Sequence, residues 1–335
     1  MKLVTFLKDG HDQLGIVVDG NIYAMDAIHN DLPNTMAMFL NFWDELMPMA
    51  RAVEHKLNDG LIRNTLGDPF ADATIFAPVP QPTSCRDGYA FRQHVAAARR
   101  NRKVDMISEF DQYPIFYFTN HNSIQGPGDI VCMPDHFQKL DFELEVAIVI
   151  CKPGRNIKAA DADEYIGGLM IMNDMSARTL QMEEMLLNLG PAKGKDFSTV
   201  IGPMLVTLEE LEQYEVPCKE GHTGKAWNMG MTCTVNGIQV SKGNMSDMDW
   251  TFAEIIERCS YGVNLMPGDI IGSGTVGTGC FLELNGTGLL NDPDFKPQWL
   301  QEGDIVEMEI DGLGKLSNTI VKDESDFSIL ALKKR

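Results

Sequence analysis

Apolar and polar residues alternate in short runs along most of this chain, the period of strands rather than helices. Residues 3–7 and 15–24 predict strands, and Asp9-Gly10 and Asp19-Gly20-Asn21 supply turns of the kind that join hairpins. Between about residues 35 and 57 the period lengthens. Met36, Phe39, Leu40, Phe42, Leu46 and Met49 fall near 3.6-residue spacing and predict a helix. Pro78-Val79-Pro80-Gln81-Pro82 then stiffens the chain, because proline fixes φ and restricts its predecessor. A domain boundary is therefore expected close to residue 75, giving a small N-terminal α+β domain (1–75) and a larger domain (76–335). In the larger part the pattern predicts strands at 114–119, 129–133, 140–150, 168–173, 203–207, 231–240, 269–274, 280–285 and 304–311. Helices are expected at 87–100, 176–188 and 251–260, with turns at Gly126-Pro127-Gly128-Asp129, Asn236-Gly237 and Pro267-Gly268-Asp269. No glycine-rich phosphate loop lies between a strand and a helix, and no repeat is evident. The expectation is a mixed, β-dominated fold rather than an alternating βα sheet.

Composition changes this picture little. Hydrophobic residues are 44% and charged residues 23%, ordinary for a chain that buries a sizeable core. The 20 Met residues suit gap-filling in that core. Charge is more informative. A formal net charge of −20 opposes binding to phosphate backbones, and the one basic cluster, Arg99-Arg100-Asn101-Arg102-Lys103, is soon followed by Asp105, Glu109 and Asp111. Nucleic acid is not an expected partner. The 7 Cys residues are scattered and show no CxxC spacing, which argues against a zinc site and against a secreted disulfide framework. No apolar run approaches the roughly 20 residues that span a bilayer, and the N-terminus turns polar too early for a signal peptide. A cytoplasmic protein without membrane partners is expected.

Candidate chemistry centres on carboxylates. In Lys139-Leu140-Asp141-Phe142-Glu143-Leu144-Glu145-Val146, alternation puts Asp141, Glu143 and Glu145 on one face of a strand. Carboxylates at i and i+2 lie roughly 7 Å apart along a strand, near enough to converge on one cation, although a solvated face would look the same. Asp174, in Met172-Asn173-Asp174-Met175-Ser176-Ala177-Arg178, sits where a strand gives way to a helix and could serve as a plain N-cap. Asp87 opens the expected helix in Asp87-Gly88-Tyr89-Ala90-Phe91-Arg92-Gln93-His94, so that His94 falls two turns later, roughly 10 Å along the axis.

Together and in this order, the three segments resemble the fumarylacetoacetate hydrolase family. Three further stretches share the resemblance: Lys193-Gly194-Lys195-Asp196-Phe197-Ser198-Thr199, Gly272-Ser273-Gly274-Thr275-Val276-Gly277 and Phe281-Leu282-Glu283-Leu284. The resemblance covers residues 76 to about 315. It implies a β-sandwich roll or mixed β-barrel for the larger domain, and a homodimer. It implies Asp87, Glu143, Glu145 and Asp174 as ligands of one divalent cation, with Lys195 and Thr199 nearby. An all-oxygen set favours Mg²⁺, with Ca²⁺ or Mn²⁺ as alternatives. His94, oriented by Glu283, becomes the base that activates water, a role imidazole suits because it titrates near neutral pH. Lys195 and Gln181 would stabilise the oxyanion, and Tyr89, Arg178, Gln181 and Thr275 would contact substrate.

The implied activity is metal-dependent hydrolysis of a carbon–carbon bond in a small diketo acid, of the fumarylacetoacetate or acylpyruvate type. Decarboxylases, hydratases and isomerases of keto acids share the resemblance, and a non-catalytic metal-binding scaffold is the alternative from another class. The chain departs from the family pattern at Thr179, where Asp is usual. It departs again near Met185, in place of a substrate-contacting tyrosine, and around Arg102 and Lys103, which align only loosely with an arginine. Those departures leave the identity of the substrate open.

Overall fold

The computed structural model describes residues 1–62 and 67–334. Two sheets carry the fold. The larger has eleven strands, in the order Asp68–Pro69, Asn21–Ala24, His11–Val18, Lys2–Lys8, Thr199–Val206, Ile166–Asp174, Leu144–Ile150, Asp269–Gly272, Ser84–Gly88 and Phe116–Thr119, with Ile124–Gln125 beside Thr199–Val206. Neighbours are antiparallel except Asp269–Gly272 with Ser84–Gly88, and Ile124–Gln125 with Thr199–Val206. The smaller sheet runs Ile238–Asn244, Gly230–Val235, Ile305–Ile310, Gly314–Lys322 and Gly128–Cys132. Among the described residues both sheets are open at their edges. The sandwich is therefore the form found, and a closed barrel is not.

Burial on both faces explains the most apolar strands. From Leu144–Ile150, the side chains of Leu144, Val146, Ile148 and Ile150 share a core with Met231, Val306, Met308 and Ile320 of the smaller sheet. Ala147 and Val149, on the opposite face, join Phe39, Leu40, Met47 and Val53 of the N-terminal helices. A strand covered on both sides reads as a continuous apolar run, and each buried Val, Leu or Ile contributes roughly 1.5–3 kcal/mol. The N-terminal strands extend the same sheet, because Lys2–Lys8 pairs with Thr199–Val206 at Leu3 and Leu205.

The predicted hairpin turns are present. Asp19-Gly20 (φ 47° and 74°) and Asn236-Gly237 (φ 53° and 76°) both take the left-handed conformation that two-residue hairpins require. Several expected elements are corrected. The helix over 35–57 is two helices, Met36–Asn41 and Trp43–Asn58, broken at Phe42 (φ −119°, ψ 34°). The helix expected from residue 87 starts only at Arg92, and Asp87 lies instead on the strand Ser84–Gly88. The strand expected at 280–285 is the start of a helix, Phe281–Asn291. The acidic strand is interrupted: Leu140–Asp141 pairs with Ser176–Ala177, and the main strand begins at Leu144. Among the described residues no helix is long and apolar enough to cross a membrane.

Candidate active site

Three strands and one loop bring the acidic residues together. Asp87 comes from the fourth position of Ser84–Gly88, Asp174 from the end of Ile166–Asp174, Glu145 from the start of the strand Leu144–Ile150 between them, and Glu143 from the residue just before that strand. The backbone fixes their registers. Glu143 N donates to Asn173 Oδ1 at 3.0 Å, and Gly274 N donates to Asp87 Oδ1 at 3.0 Å. One oxygen from each of Asp87, Glu143, Glu145 and Asp174 lies within 4.8 Å of the others, and all four residues are buried. Gly272 makes this convergence possible, since a Cβ there would stand 2.5 Å from Asp87 Oδ1 and 2.9 Å from Met172 Sδ.

So much buried negative charge is unfavourable by itself. Burial, and then repulsion from Asp174, pushes the Asp87 carboxyl up to about 7. Burial and then the charge of Asp87 push Glu145 well above the usual carboxylate range. Glu143 behaves oppositely. Burial would raise it, but Lys195 and then Arg178 outweigh that effect and hold it down to about 2. Lys195 Nζ donates to Glu143 Oε2 and, at 2.7 Å, to Asp174 Oδ2. Among the described residues, Glu145 Oε2 and Asp174 Oδ1 are buried with no hydrogen-bond partner. Orphaned carboxylate oxygens in an all-oxygen set fit a hard divalent cation, which would offset the repulsion that otherwise favours protonation.

Two helices bring a second pair to the rim of this cluster. His94 lies on Arg92–Asn101 and Glu283 on Phe281–Asn291, with His94 Nδ1 2.7 Å from Glu283 Oε2. The helices approach closely at Gly286, where a Cβ would meet the Asn101 side chain at 2.3 Å. Glu283 Oε1 also accepts from Thr278 N at 3.0 Å. Thr278 has a φ of 70°, rare for a β-branched residue, and this conformation aims its amide at the carboxylate. Tyr89 packs edge-on to the imidazole with ring centroids 5.7 Å apart.

The remaining candidates fall around these groups. Thr275 Oγ1 donates to Glu145 Oε1 at 3.2 Å, and Thr199 is buried opposite Asp174 in the strand register. Gln181 Oε1 accepts from Arg178 Nη1 at 3.0 Å. Arg178 is itself 2% exposed, and its guanidinium also engages Asp141 and Glu143, each at 2.8 Å. Asp141, expected on the same face as Glu143 and Glu145, turns away from the cluster. It accepts from Phe281 N at 2.8 Å and Leu282 N at 2.9 Å, and so caps the helix that carries Glu283.

One contact was not anticipated at all: the Tyr117 hydroxyl donates to Asp174 Oδ2. Alternation in Phe116-Tyr117-Phe118-Thr119 is the signal that sets Tyr117 apart from its phenylalanine neighbours, and strand pairing places it opposite Asp87.

Comparison with known proteins points to one family. Residues 83–321 match the family model described as fumarylacetoacetate (FAA) hydrolase C-terminal. The chain is 30% identical over 332 residues to oxaloacetate tautomerase Fahd2a, mitochondrial, of Rattus norvegicus, covering 96% of this chain and 92% of that protein. It is 31% identical over 333 residues to the Homo sapiens oxaloacetate tautomerase FAHD2A, mitochondrial, with the same coverage. The fold is similar to that of maleylpyruvate hydrolase from Sphingobium sp. SYK-6, solved in complex with manganese (II) ion and pyruvate. The TM-score is 0.69 at 20% identity, over 97% of this chain and 100% of the other.

Proposed function

Because this chain belongs to the fumarylacetoacetate hydrolase family, we propose that it acts on a short 2-oxo acid through its enol form, hydrolysing a carbon–carbon bond in a diketo acid. The observation that carries this reading is the buried His94–Glu283 pair beside four converging carboxylates. Asp87, Glu143, Glu145 and Asp174 would hold a divalent cation, Mg²⁺ before Mn²⁺ or Ca²⁺, which supplies Lewis-acid polarisation of the substrate's oxo groups when bound. The manganese ion and pyruvate in the maleylpyruvate hydrolase structure agree with that choice of ligand classes.

His94 takes a proton from water at the ring nitrogen that Glu283 leaves free, and the water oxygen bonds to the carbonyl carbon remote from the 2-oxo carboxylate. Lys195 and Gln181 stabilise the negative charge on that carbonyl oxygen. As the carbon–carbon bond breaks, its electron pair passes to the 2-oxo acid fragment, whose carbon takes the proton back from His94. Two carboxylic acids result. Tyr89 and Thr275 border the substrate, and Arg178, with its guanidinium spent on protein carboxylates, acts on it only by orienting Gln181.

A second reading, tautomerisation of a 2-oxo acid such as oxaloacetate, is favoured by the names of both full-length relatives. There the same imidazole moves a proton between carbon and enol oxygen, and no water is consumed. The test follows the enol absorbance of acetylpyruvate, fumarylacetoacetate and oxaloacetate with Mg²⁺, after chelation, and with His94→Ala. Cation-dependent appearance of two acids that requires His94 supports hydrolysis. Enol–keto interconversion of oxaloacetate with no cleavage of the diketo acids supports the tautomerase instead.

A further inference from the structure

Cys280 is the residue just before the helix Phe281–Asn291, fully buried, and the mechanism above makes no use of it. Its Sγ, a ring nitrogen of His94 and a carboxylate oxygen of Glu143 all lie within 4.8 Å of one another. Nitrogen, sulfur and oxygen donors make a set of a different chemical kind from the four carboxylates beside it. Such a mixed set suits a borderline-soft ion such as Zn²⁺, whereas carboxylates alone suit Mg²⁺.

We infer that His94, Cys280 and Glu143 form a second metal site, selective for Zn²⁺ or a similar borderline-soft ion, that shares Glu143 with the carboxylate cluster. A tetrahedral ion with ligands at about 2.0–2.3 Å sets its donors about 3.3–3.8 Å apart, so each pair has to draw in by at most about 1.5 Å. The four carboxylates meet the same 4.8 Å limit.

The surroundings of His94 are an independent observation pointing the same way. Ligating histidines characteristically donate their second ring N–H to a carboxylate, which fixes the tautomer and raises ligand basicity. Glu283 occupies Nδ1 at 2.7 Å and leaves the Nε2 lone pair for an ion, while Tyr89 packs against the ring. A cysteine ligates as its thiolate, so binding would release the thiol proton to solvent. An ion on Nε2 takes up the lone pair that the proposed reaction uses. The site is then inhibitory, a consequence that rests on the proposed function, whereas the binding itself does not.

Cobalt reports a thiolate ligand by a sulfur-to-metal charge-transfer band, which allows a test without substrate. The whole protein, saturated with millimolar Mg²⁺, is titrated with Co²⁺ and then with Zn²⁺. One equivalent of Co²⁺ is expected to give the band in spite of the Mg²⁺, and Zn²⁺ to abolish it. Cys280→Ser should lose the band while Cys218→Ser keeps it. Glu283→Gln should weaken Zn²⁺ binding about 10–100-fold. Absence of the band in the wild-type protein, its displacement by Mg²⁺, or its persistence in Cys280→Ser would each overturn the site. The first two outcomes need no variant to fold. If the binding is confirmed but Zn²⁺ leaves turnover unchanged, the assignment of His94 as the base fails and the metal site stands.

Discussion

Asp141 is the residue whose removal should tell most about how the site is built. Its side chain is fully buried and accepts hydrogen bonds from Phe142 N at 3.0 Å, Phe281 N at 2.8 Å, Leu282 N at 2.9 Å and Arg178 Nε at 2.8 Å. It thus joins the acidic segment to the helix that carries Glu283, and holds the guanidinium that also contacts Glu143. Asp141→Ala strands part of a buried cation, a change that costs about 3–5 kcal/mol. It also uncaps a helix whose own N-cap, Cys280, provides no side-chain bond, a loss of about 0.5–2 kcal/mol that overlaps the first. We predict a loss of about 3–5 kcal/mol in all. With a slope near 3 kcal/mol per molar urea, the unfolding midpoint should fall by about 1–2 M, measured by tryptophan fluorescence on Mg²⁺-saturated protein. Asp141→Asn keeps one acceptor for the helix amides but no charge for Arg178, so its midpoint should lie between the two. A midpoint for Asp141→Ala within about 0.3 M of wild type would mean that the residue bridges nothing of consequence.

Three other outcomes follow from the same geometry. Gly272→Ala, whose Cβ collides with the Asp87 carboxylate, should cost about 1–3 kcal/mol and weaken Mg²⁺ binding by calorimetric titration; unchanged binding would put Asp87 outside the ligand set. His94→Ala should leave Mg²⁺ binding intact and lower turnover by about 10²–10⁴-fold, and undiminished turnover would remove His94 as the base. Stability should also respond to pH in a cation-dependent way. Asp87, raised from 3.8 to about 7, and Glu145, raised well above the usual carboxylate range, retain protons in the folded cation-free protein that the unfolded chain has lost. Stability of that form therefore falls as pH rises through this window, by up to about 1.4 kcal/mol per unit for each group. His136, pushed down to about 4 by burial and then by Lys193, acts in the opposite sense, but it is common to the loaded and unloaded protein. The Tm gained on adding Mg²⁺ should accordingly increase from about pH 5 to about pH 7; a constant gain would show that protons and cation do not compete for the carboxylates.

What could be read from the sequence was what depends on neighbours in the chain. The Asp-Gly and Asn-Gly turns are local signals, and the structure contains them; Glu143 and Glu145 also converge as the alternation suggests, although the strand itself begins only at Leu144. The signal failed where a distant partner decides the outcome. Phe281-Leu282-Glu283-Leu284 alternates like a strand, yet it forms a helix whose first amides are capped by Asp141, 140 residues earlier. Asp87 followed the same rule: read locally it opens a helix, but parallel pairing with Asp269–Gly272 holds it in a strand. Arg178 shows why site residues are harder still. Its place in an Ala-Arg motif suggests a hand on the substrate, and only the fold shows the guanidinium enclosed by Asp141, Glu143 and Gln181. Asp141, Glu143 and Asp174 are thus joined through Arg178 and Lys195, and Asp141 ties that network to the helix that carries Glu283. Because Arg178 and Lys195 both meet on Glu143, a change at any one of these positions should be felt at the others, and double-mutant combinations within the network should depart from additivity.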